Sequence, residues 1–243
     1  MDILVMYNTI MALAAGAGLV GVALLGRMIK KRQAVAAEGW SMLFAVLGFI
    51  LSITGIVMSL TWPLRMAGTA DANILMGEPS AAFGLLLLAA SFYLWQRRAV
   101  FAELGGSKEA SNKAMDTINR TMKPLSIFVF ACGLMLIACA ASWIRFQLGA
   151  APEIEPLSGY LATVVFANAP AVESVFLGIM WGLAGLGALL FPFALSRKNG
   201  VNAKIVFTAW IVAGLLLVAF GALNFYTHVG LITNMTMGTD FKI

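Results

Sequence analysis

Charge is scarce in this sequence. Only 11% of its 243 residues are Asp, Glu, Lys or Arg, while 61% are hydrophobic and the mean hydropathy is +0.91. A soluble domain usually carries about 25% charged residues, and a chain this short has no interior able to hide so much apolar side chain. A water-soluble fold is thereby excluded. Cysteine is almost missing too: Cys132 and Cys139 lie seven apart in one apolar run, without the partners that a disulfide framework or a zinc site requires. They read as small apolar fillers. Histidine occurs once, as His228, which rules out bis-His haem ligation, and no cysteine cluster supports an iron–sulfur centre. There is no phosphate-binding glycine loop, no zinc-protease motif and no Ser/His/Asp set. An intramembrane enzyme is the least supported class, and no cofactor is expected.

What is abundant is long apolar sequence. Six segments match the roughly 20 residues that cross about 30 Å of hydrocarbon: Ile3–Met28, Trp40–Trp62, Pro79–Trp95, Pro124–Ile144, Ala171–Leu195 and Ala203–His228. Backbone groups in lipid have to be satisfied within the segment, which makes each one a helix. The expected fold is therefore an all-α membrane protein, one polytopic domain over residues 1–243, in contact with the lipid bilayer. Thirteen of the sixteen Lys and Arg fall on one side of this layout, leaving only Arg65, Arg145 and Lys242 on the other. The positive-inside rule then places both termini outside, in a multi-pass protein of the cell (inner) membrane. The net charge of +5 is a topology signal and not a nucleic-acid footprint. The cluster Arg27 to Arg32 follows the first apolar run, whereas a signal peptide has its positive charge before it, so the first span reads as retained.

An internal echo suggests repeated two-helix hairpins. Thr61-Trp62-Pro63-Leu64-Arg65 leads through an outer loop to Gly77-Glu78-Pro79. Later, Ser142-Trp143-Ile144-Arg145 leads through a longer loop to Pro170-Ala171-Val172-Glu173. The sixth and first spans would close a third unit, and such repeats are common in transport folds. Within the longer loop, Gly159–Ala167 is too short to span. It would lie in the interface, re-enter the bundle, or form a half-helix broken at Asn168-Ala169-Pro170.

Small residues recur at three- and four-residue steps: Ala14, Gly18 and Gly21; Gly48, Ser52, Gly55 and Ser59; Gly178, Gly182 and Gly185; and Gly214 and Gly221. The structural reading is close helix packing. The functional reading makes some of these faces a narrow passage lined by Ser52, Ser59, Asn224 and His228. Glu78 and Glu173 stand at helix entrances, where the dipole stabilises a carboxylate by about 0.3–1 kcal/mol. With Arg65 and Arg145 they would alternatively form an outer vestibule, joined by Asp71 and Asn73. A copper site from His228, Met235 and Met237 is chemically conceivable because thioethers suit Cu(I); coincidence among 14 methionines is the plainer account. Asn234-Met235-Thr236 matches a glycosylation sequon.

Through the stretches Met6-Tyr7-Asn8-Thr9, Leu60-Thr61-Trp62-Pro63-Leu64 and Asn73-Ile74-Leu75-Met76-Gly77-Glu78-Pro79-Ser80, the chain resembles a family of prokaryotic multi-pass membrane proteins of unknown function. More distantly, Gly77-Glu78-Pro79-Ser80-Ala81 followed by Phe83-Gly84-Leu85 resembles the pore-helix opening of the acid-activated urea channel and amide transporter family. That resemblance implies solute conduction, although the outer-loop histidines and an acid in the sixth span are missing. The expected function is a channel or facilitator for a small neutral or weakly acidic polar solute, working as a homo-oligomer. The alternative is an accessory or assembly subunit of a larger respiratory or oxidase-like membrane complex.

Overall fold

In hydrocarbon a helix is the one open segment that bonds all of its own backbone, and the described residues of this chain form six long ones. The computed structural model describes residues 8–61, 73–149, 151, 154–161, 169–195 and 200–242. The long helices are α1 (Asn8–Lys30), α2 (Ala37–Thr61), α3 (Glu78–Gln96), α4 (Lys108–Phe146), α5 (Ala169–Ala194) and α6 (Gly200–Met237). A π turn, Asn73–Gly77, leads into α3, and Arg98–Ala102 forms a short helix after it. No strand occurs among the described residues. All six helices, α3 counted with its π turn, are long and apolar enough to cross a membrane.

Two helices outrun their hydrophobic spans, for different reasons. The expected fourth span starts at Pro124, yet α4 starts at Lys108. Ser107 caps it, its hydroxyl accepting from the Ala110 amide at 3.3 Å. The extension then buries Ser111, Ala114, Met115 and Ile118, the i, i+3, i+4, i+7 stripe of an amphipathic helix. Ala114 and Ile118 join Val35, Ala37, Phe101 and Leu104 in one cluster that gathers the loops at this end of the bundle. The polar stretch before Pro124 is thus the first part of α4, which is continuous through that proline. The sixth helix runs nine residues past His228 because other chain segments pack along it: Pro156 lies against Gly230, and Asn234 holds the C-terminal tail.

The helices pair antiparallel, and missing side chains set each crossing. At α2–α3, a Cβ on Gly84 would fall 2.5 Å from the Ser52 amide nitrogen. At α1–α6, one on Gly16 would fall 2.5 Å from the Gly214 carbonyl, and at α4–α5 one on Gly133 would fall 2.7 Å from the Leu189 nitrogen. Such closeness is how helices associate where lipid removes the hydrophobic drive. The expected small-residue faces of the second, fifth and sixth spans all lie in these seams. On α1 the expected face does not lie in one seam: Gly18 meets Phe83 of α3 and Gly21 meets Phe44 of α2, while Gly16, outside that face, meets α6. A serine clasp adds to the α2–α3 pair, with Ser91 Oγ donating to the Ser41 carbonyl at 2.8 Å and Ser41 Oγ to the Ser91 carbonyl at 3.0 Å.

Neighbours in sequence are neighbours in space, and α1 closes on α6, so the six helices form a ring. One junction is weak. Helices α3 and α4 touch only sparsely, although each packs closely against its other neighbour.

Candidate functional site

Inside the ring lies a cavity of about 220 Å³, walled by α1, α3, α4, α5 and α6. Along α3 its lining runs from Met76 to Ala90, and along α4 from Met122 to Leu136. Fourteen residues at 1.5 Å each make it about 21 Å long. It is therefore a slender slot about two-thirds as long as the roughly 30 Å hydrocarbon core of a membrane. Its sparsest wall is the α3–α4 junction.

The lining is apolar. Met11, Met76, Met122, Met135 and Met180 contribute flexible thioethers, and Phe83, Phe191 and Phe220 contribute rings. Two tryptophans also line it, but their indole N–H groups are already bonded: Trp181 Nε1 donates to the Leu75 carbonyl at 3.0 Å and Trp210 Nε1 to the Ala184 carbonyl at 3.1 Å. Gly187 leaves the room in which Trp210 lies. That leaves the Ser80 hydroxyl and the Cys132 thiol as the polar side-chain groups on the wall. Unsatisfied polar groups cost roughly 2–7 kcal/mol in apolar surroundings, so this slot favours a hydrocarbon occupant over a hydrated one.

The residues singled out from sequence lie elsewhere. Ser52 sits in the α2–α3 crossing against Gly84, its buried hydroxyl without a partner. Ser59 donates to the Gly55 carbonyl of its own helix at 2.8 Å. Asn224 is buried on α6, and none of these three, nor His228, is on the cavity wall. Of the expected vestibule, Arg65 and Asp71 lie outside the described residues. Glu78 occupies the first turn of α3 and is exposed, as is Arg145. Glu173 accepts from the Ala151 amide at 2.6 Å, and the neighbouring Ser174 hydroxyl accepts from the Gly149 amide at 3.1 Å, so together they hold the turn after α4. No ion pair joins Arg145 to Glu78 or Glu173 among the described residues.

At the end of the bundle where the chain begins and finishes, one polar cluster was not foreseen. His228 Nδ1 lies 3.0 Å from Glu155 Oε1, a carboxylate from the loop after α4 that is itself buried. Six residues further along α6, Asn234 Nδ2 donates to the carbonyls of Ile154 (2.8 Å) and Phe241 (2.9 Å), while its Oδ1 accepts from Thr239 Oγ1 and the Phe241 amide. With its amide nitrogen so engaged and its side chain buried, Asn234 is a structural clamp and not an exposed sequon. The copper option keeps no convergent geometry: α6 is unbroken, so His228 and Met235 are separated by about 10.5 Å along the axis, and His228 turns to Glu155. The stretch 162–168, on which the re-entrant reading of the long loop depended, lies outside the described residues.

Six apolar helices, an apolar slot and polar clamps confined to the helix ends define a multi-pass helical membrane protein. The chain belongs to the family described as Protein of unknown function (DUF981), which it matches over residues 1–230. No curated protein and no solved structure matches it.

Proposed function

We propose that this protein binds the hydrocarbon chain of a membrane lipid or a similar slender apolar molecule in the slot between its helices, with entry from the bilayer between α3 and α4. One observation supports the reading: an apolar slot, about 21 Å long by the helix rise, whose weakest wall is the sparsely packed α3–α4 junction. An engineered cavity of about 150 Å³ lined by Leu, Ile and Phe stays dry and takes up apolar ligands, and methionine-rich walls adapt to varied shapes. Such a protein would shelter, present or pass on an apolar chain. The orientation that fits is the one expected from the distribution of Lys and Arg, with both termini on the outer side of a cell membrane.

Native mass spectrometry of the protein in mild detergent tests this. Wild type is expected to carry one tightly held lipid per chain, and Cys132→Phe, which fills the slot from α4, to lose it while unfolding at an unchanged temperature. Ala90→Leu fills it from α3 and serves if the first variant is unstable. Lipid-free wild type would overturn the reading. The polar-solute channel and the accessory subunit expected from the sequence are the competing outcomes. The channel requires flux of a small neutral solute in liposomes that falls in Glu78→Gln and Glu173→Gln, and the subunit requires stoichiometric foreign chains in the native complex.

A further inference from the structure

The apolar slot leaves open what lies at its ends, and there the two ends differ. Arg97 caps the C-terminus of α3 one residue past Gln96, seven residues after Ala90 and fourteen after Phe83 of the lining, a spacing that drifts only about 20° per seven residues on a helix. Ala90 and Met122 mark the last ring of the slot, and Arg97 stands about 10.5 Å beyond Ala90 along the axis. Its neighbour Arg98 is already engaged, lying 3.8 Å from Glu38, donating to the Trp95 carbonyl and stacking on the Trp95 ring. Arg97 is exposed and has no acidic partner among the described residues. Around it bases outnumber acids: exposed Arg120 and Lys123 flank Met122 on α4 and exposed Lys113 lies on the extension, with exposed Glu103, Glu109 and Asp116 among them. The opposite end offers Ser80 on the slot wall and the exposed acid Glu78.

We infer that the occupant is an anionic phospholipid, with one acyl chain in the slot and its phosphate at Arg97. This rests on the reading of the slot as an apolar-chain site and adds the headgroup and its direction. About 10.5 Å of helix rise separates the last slot residue from Arg97, comparable with the length of a glycerol backbone, and the long arginine side chain can carry its guanidinium to the level of the headgroups. A planar fork of N–H donors matches phosphate oxygens. Glu78 at the far end disfavours the reversed pose by like charge.

The test uses the full-length protein in nanodiscs of equal parts phosphatidylglycerol and phosphatidylcholine with identical acyl chains, followed by detergent release and quantification of the retained lipid. Wild type is expected to retain phosphatidylglycerol preferentially. Arg97→Gln is expected to keep bound lipid but reduce that preference by about fivefold, the factor that one cation near an anionic surface is worth. Arg97→Lys retains most of it. Equal retention of the two lipids by wild type, or an unchanged preference in Arg97→Gln, overturns the headgroup assignment and leaves the slot reading intact. Retention of neither lipid by wild type overturns both.

Discussion

At Gly84 a hydrogen in place of a methyl group decides how closely α2 and α3 approach. A Cβ there would meet the Ser52 amide nitrogen at 2.5 Å, and that backbone cannot move without opening the seam. Gly84→Leu is expected to destabilise the protein by about 1–3 kcal/mol, the usual range for overpacking, seen as a lower unfolding temperature in detergent. Gly26, which has open space around it, is the control, and Gly26→Ala should leave stability close to wild type. At the other end of the bundle, Glu155→Ala strips His228 Nδ1 of its carboxylate. A loss of about 1–3 kcal/mol is expected from breaking a buried polar contact. Sequence made part of this legible. The three- and four-residue spacing identified Gly55, Gly178 and Gly221 as packing residues, but spacing alone does not say which neighbour each face meets, so the division of α1 between three helices was invisible. His228 stood out because it is the only histidine. Glu155, 73 positions away in a loop, carried no signal until the fold brought the two together.

The helices themselves follow from apolar run length, and their cores lie where the runs do. Their ends do not, because ends are settled by contacts that a hydropathy average does not contain. The α4 extension is polar enough to read as a surface segment, and it is helical here because Ala114 and Ile118 are buried against Phe101 and Leu104. Ile118→Ala should therefore act locally. Amide hydrogen exchange is expected to rise across residues 108–120, where deleting a buried Ile side chain removes about 2–5 kcal/mol, while residues 126–146 in the apolar part keep their protection. Uniform loss of protection along α4 would show that the extension and the spanning part unfold as one unit. The same reasoning applies to the last turns of α6. Asn234→Ala would free the Phe241 amide and the carbonyls of Ile154 and Phe241, and faster proteolysis of the C-terminal tail should follow.

For the whole molecule, the class of protein was plain from composition, whereas the candidate site was not. A slot in lipid is made by what side chains leave empty between five helices, and methionine, phenylalanine and alanine at its wall look in sequence like those that face the bilayer. Polar residues draw attention in an apolar chain, yet here Ser52, Ser59 and Glu173 bind or pack at seams and turns. The sparse α3–α4 contact, the apolar wall and the cluster of bases around Arg97 come together only in three dimensions. The most direct measurement is photolabelling in the bilayer with a phospholipid carrying a carbene precursor midway along one acyl chain, the adducts mapped by mass spectrometry. Labels are expected on slot residues such as Phe83, Leu86, Val129 and Cys132, and to disappear there in Ala90→Leu. Labels confined to outward-facing Val46, Phe92 and Phe128, with the slot residues untouched, would contradict the proposal that a lipid chain occupies the bundle.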